Sequence, residues 1–146
     1  MRRAAWLTAF LIFCVRLAHA EQVARGAPSP RTNACEKASR QLFGEPPTPL
    51  AGEVKEPKKL HHVNPEYPNL PSGTVASGVW IGEALIGPDG RVRNVSVLRD
   101  LRLEPALPQF SNAISDAIRQ WRYRPATVAG KAVPVCMTVT VNINWK

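Results

Sequence analysis

Cysteine, acid and long apolar runs are all scarce in this chain of 146 residues. The longest apolar run, Ala4 to Val15, covers twelve residues, well short of the roughly 20 that a spanning helix needs. The acidic residues number 11 against 19 basic, and no acid–base pair or nucleophile constellation stands out among them, so an enzyme is not expected. His61 and His62 are adjacent, with Glu66 nearby. Neighbouring side chains on an extended segment point opposite ways, and no third spaced ligand accompanies them, so neither a metal site nor a cofactor is expected. No nucleic-acid-binding module is legible either.

Residues 1–20 have the form of an export signal. Arg2 and Arg3 precede the apolar run, Arg16 closes it, and Ala18-His19-Ala20 has the small-x-small pattern of a cleavage site. The alternative is an inner-membrane anchor formed by residues 4–15. Cleavage would remove three arginines and no acid, lowering the net charge from +8 to +5. It would also leave two cysteines, Cys35 and Cys136, in an oxidising compartment. One disulfide between them is expected, with two free thiols as the alternative.

Nine of the 14 prolines fall before residue 75, which divides the chain into a Pro-rich front and a patterned back. Residues 21–57 are expected to hold a flexible lead, a short helix and a Pro-rich linker. Asn33-Ala34-Cys35-Glu36 reads as a capping box opening a helix to about Phe43. From Gly44 to Pro57 the chain should be stiff and extended, reaching about 45 Å at 3.1 Å per residue. Pro65-Glu66-Tyr67-Pro68 keeps the next segment extended.

Residues 58–146 form the expected folded domain. Val79 to Ile86 and Val92 to Leu98 are strands joined by the turn formers Gly87-Pro88-Asp89-Gly90. The step from Val92 to Val95 breaks the period of two and places a bulge near Arg93 or Asn94. Leu107, Phe110, Ile114, Ala117, Ile118 and Trp121 follow helical spacing, predicting an amphipathic helix from about Pro105 to Trp121. Trp80 and Trp121 are expected in the core.

Val135 to Trp145 is the strongest pattern of all. Val135, Met137, Val139, Val141, Ile143 and Trp145 alternate with Cys136, Thr138, Thr140, Asn142 and Asn144, which describes a strand with one buried and one wet face. At about 3.3 Å per residue it would span roughly 35 Å. The order strand, strand, helix, strand gives an α+β fold. A small three-stranded antiparallel sheet has the first strand in the middle, one amphipathic helix on one face and the last strand at an edge. A bond from Cys35 to Cys136 would draw the short helix over the other face.

Pro65-x-Tyr67-Pro68, Gly78-Val79, Ile86-Gly87-Pro88-Asp89-Gly90-Arg91-Val92, Trp121-x-Tyr123-x-Pro125-Ala126, Gly130 and Met137-Thr138-Val139-Thr140-Val141 together resemble the C-terminal domain of the TonB energy transducers. The resemblance covers about residues 58–146. It implies a periplasmic, non-enzymatic module that binds a short segment of an outer-membrane receptor, the TonB box, as a strand added beside the last strand. The matching positions are Val139, Thr140, Val141, Asn142 and Ile143. It also implies a motor subunit in the inner membrane as a partner, and two copies pairing through their free edges is a further expectation.

Two features depart from that pattern: the hydrophobic segment reads as cleavable, and the Pro-rich stretch is short for bridging two membranes. The competing function is a structural envelope protein. In it, Arg91, Arg93, Arg99, Arg102, Arg119, Arg122 and Arg124 would form a basic face for peptidoglycan or anionic lipid.

Overall fold

A computed structural model describes residues 32–69, 76–103 and 107–145. The export segment, the lead up to residue 31 and the first residues of the expected amphipathic helix lie outside the described residues. Among the described residues, no helix is long and apolar enough to cross a membrane.

The elements run α1 (Thr32–Phe43), β1 (Lys58–His61), β2 (Ala76–Ile86), β3 (Val92–Arg99), α2 (Pro108–Gln120), β4 (Arg122–Arg124), β5 (Ala126–Val128), β6 (Lys131–Val133) and β7 (Val135–Trp145). The main sheet has the order β3-β2-β7, with both outer strands antiparallel to the central one. This is the expected α+β fold, with the last strand at an edge. Two small two-stranded sheets, β1-β4 and β5-β6, were not anticipated.

The hydrophobic alternation sets the register. Trp80 lies opposite Val141, Ala84 opposite Met137 and Ile86 opposite Val135, so the apolar sets of β2 and β7 share one face. Against that face α2 packs Phe110, Ile114 and Ile118, all with 1% exposure or less. Burying side chains of this size contributes on the order of 1.5 to 3 kcal/mol each. The indole of Trp80 donates to Ser111 Oγ at 2.8 Å, which fixes the helix along the sheet. The bulge falls at Arg93, the unpaired residue between Leu85↔Asn94 and Ile86↔Val92, and a second irregularity lies at Leu98.

The opposite face of the sheet is covered at one end by α1, which lies against β2 and β3. Cys35 is joined to Cys136, with Cα atoms 6.3 Å apart and a sequence separation of 101. Cys35 and Ser39 of this helix and Leu85 of β2 are fully buried. Glu36 accepts two hydrogen bonds from Arg40, one turn later; the Asn33 side chain of the expected capping box is outside the described side chains.

The Pro-rich stretch from Gly44 to Pro57 does not run free as the sequence suggested. The Thr48 amide donates to the Pro134 carbonyl at 2.8 Å, and Lys55 and Thr127 exchange both backbone hydrogen bonds. Leu50 and Val54 pack against the core. A segment outside regular secondary structure leaves its amides and carbonyls unpaired, and here Thr127 of β5 and Pro134, which follows β6, take up three of them.

Candidate functional site

β7 is an edge strand. Along its eleven residues, from Ala76↔Trp145 to Ile86↔Val135, it pairs with β2 on one side. Among the described residues no strand pairs with its other side. The outer edge of β3 is also unpaired by any described strand, but its two irregularities distort the row of hydrogen-bonding groups that a guest would need. The edge of β7 is regular and long.

A groove of about 540 Å³ opens beside it, and Thr140, Val141 and Asn142 form one wall. Successive side chains of a strand leave on opposite faces, so three consecutive residues can line one groove only where the backbone edge itself faces it. The floor is Ile114, Ile118 and Trp121. The far wall is the segment after β1, through His62, Asn64 and Tyr67.

That segment behaves as a strap across α2. At one end the Trp121 indole donates to the Val63 carbonyl at 2.8 Å, and the His62 ring lies 4.7 Å from the Trp121 ring. At the other, Tyr67 stacks on Phe110 with ring centroids 4.7 Å apart. β1 begins the strap, paired with β4 through Lys58↔Arg124 and Lys59↔Tyr123. Tyr123 is buried and its hydroxyl has no partner among the described residues; burial pushes that phenol up to about 12.

Of the five edge positions named from sequence, Val139 and Ile143 turn into the core, Val141 is half-buried, and Thr140 and Asn142 are exposed on the other face. The strap residues of the groove were missed. In the sequence Trp121 reads only as core, and Lys59 and His62 carry no periodic signal. The one pointer was Pro65-x-Tyr67-Pro68, which requires an extended chain close by.

Other candidate chemistry is sparse. Cys35, Cys136 and Glu83 place possible ligand atoms within 4.8 Å of one another, but both sulfurs are spent in the disulfide. Desolvation raises the pKa of the Glu83 carboxyl, and its Oε2 is buried without a partner among the described residues. The basic residues are mostly engaged locally. Arg91 and Arg93 face Asp89, and Arg119 pairs with Asp116. Arg122 donates to the carbonyls of Arg119, Gln120 and Trp121 at the end of α2.

No curated protein matches the chain. The family model described as Gram-negative bacterial TonB protein C-terminal matches residues 63–146, from the middle of the strap to the end of β7. α1, β1, Lys59 and His62 precede the matched stretch. The family is an envelope-associated, non-enzymatic module of receptor-linked transport, and this chain belongs to it.

Proposed function

We propose that the chain is a periplasmic capture module that takes an extended segment of an outer-membrane receptor as an added strand on β7, in support of TonB-dependent transport. The observation that carries this reading is the regular edge of β7, which opens at Thr140, Val141 and Asn142 onto a groove with an apolar floor. Backbone groups of the edge would supply affinity, and alternate guest side chains entering the groove would supply selectivity.

Export fits the covalent structure, since a disulfide persists in an oxidising compartment and not in a reducing cytosol. On this reading residues 1–20 are the signal, and residues 58–146 are the receptor-binding domain. Energy would come from a separate inner-membrane motor subunit, because the Pro-rich stretch is held against the domain and is not free to span the periplasm.

The test uses synthetic peptides from the periplasm-facing N-terminal segments of outer-membrane receptors, measured against the disulfide-bonded chain. A peptide that binds is then N-methylated at one residue at a time. An added strand presents every second amide to β7, so binding should be lost on an alternating pattern. Loss without alternation, or no binding by any receptor peptide, would overturn the proposal.

A further inference from the structure

Lys59 has an unusual position for a surface lysine. Its ammonium lies 3.4 Å from the centroid of the Trp121 ring, at the rim of the groove beside β7. Among the described residues no carboxylate comes within ion-pair reach of it. The ring face holds the cation in place by its quadrupole, and the neighbouring protein strips some of its water, which lowers its pKa. Here, then, is a positioned, partly desolvated cation at the mouth of a groove that holds no acid to pair with it.

A guest strand beside β7 has one residue opposite Val141. Cross-strand neighbours share a face, so its side chain must enter on the α2 side, as Val141 does. There it enters the groove lined by Tyr67 and Val141 above Ile114 and Ile118, and then reaches Trp121 beneath Lys59. An apolar approach ending at an unpaired cation suits a side chain with a methylene stem and an anionic tip.

We infer that Lys59 selects a guest segment carrying glutamate at the residue opposite Val141, its stem lying in the groove above α2 and its carboxylate meeting the ammonium over Trp121. The inference rests on strand addition at β7. It concerns a feature of this chain beyond the family match, because that match begins at Val63 and Lys59 lies before it.

Fluorescence anisotropy at low salt, on the full disulfide-bonded chain, tests it with labelled peptides alternating Thr and Val. One central Val is replaced by Glu, Gln or Lys. Glu should bind about fivefold more tightly than Gln, the scale of a partly exposed ion pair, and Lys most weakly. The spread should shrink at high salt and collapse in Lys59→Met, which keeps the stem over Trp121 and removes the charge. Equal affinity of the Glu and Gln peptides for the unaltered chain would overturn the selectivity and leave strand addition standing. Binding of none of the three would overturn both.

Discussion

The indole nitrogen of Trp121 and the carbonyl of Val63, 58 residues apart in sequence, are joined by a 2.8 Å hydrogen bond. That bond ties the strap to the end of α2 and so sets the position of the groove's outer wall. Trp121→Phe keeps an aromatic ring in the core but leaves the carbonyl without its donor. Stability should fall by about 1 to 2 kcal/mol in urea denaturation. Hydrogen exchange of residues 58–67 should quicken more than that of β2 and β7, and affinity for peptides at the β7 edge should drop with it. Uniform loss of protection across the sheet would mean that the strap has no separate stability.

Gly90 holds φ at +74°, and a Cβ there would stand 1.9 Å from the Tyr123 carbonyl oxygen. The close approach exists because the Tyr123 amide donates to the Gly90 carbonyl at 2.8 Å, binding the β2-β3 turn to β4. Gly90→Ala therefore meets backbone, not a flexible side chain, on top of left-handed strain. The cost should be roughly 3 kcal/mol. Gly130 also has positive φ, at +82°, but nothing lies within 4 Å of its would-be Cβ, so Gly130→Ala should cost only about 1 to 2 kcal/mol. Thermal unfolding of the two variants side by side checks the order.

The contrast between these glycines shows where the sequence is legible and where it is not. Gly90 was readable as a turn residue from its neighbours, as were the alternation of β7, the amphipathic face of α2 and a bulge near Arg93 or Asn94. Each is a local pattern whose period or composition reports its own geometry. β1, β4, β5 and β6 are three or four residues long, too short to show a period, and their pairing depends on where distant segments arrive. The strap is of the same kind. Pro65 and Pro68 announce an extended chain, but nothing local says that it will lie across Trp121 or wall a groove.

Glu83 lies on the α1 face of β2, with one carboxylate oxygen buried and unpartnered among the described residues. Burial disfavours the charged form and raises its pKa above the ordinary 4.5. A carboxyl with a raised folded pKa keeps its proton longer in the native state than in the unfolded chain. Its effect on stability is therefore most favourable in acid, and it declines as pH rises from about 4.5 through the folded value. Glu83→Gln should raise the melting temperature at neutral pH and remove that decline. Melting curves from pH 4 to 8 in both proteins decide it, and an unchanged slope in the variant would assign the pH dependence to another group.

The disulfide and the groove lie at different places on β7. Cys136 is the second residue of the strand and sits opposite Leu85 under α1, whereas the groove begins at Thr140, about 13 Å further at the strand's rise per residue. α1 itself lies on β2 and β3 and meets β7 at Cys136, near the end of the strand remote from the groove. The staple should therefore matter for stability and not for capture. Replacing both Cys35 and Cys136 by Ala opens a link across 101 residues, and stability should fall by about 2 to 5 kcal/mol. The 12-residue α1 is marginal alone in water and should lose its exchange protection first. Under conditions where circular dichroism shows the sheet and α2 intact, affinity for a peptide at the β7 edge should stay within about twofold. A parallel loss of affinity in the still-folded variant would show instead that the stapled helix holds the edge in its binding shape.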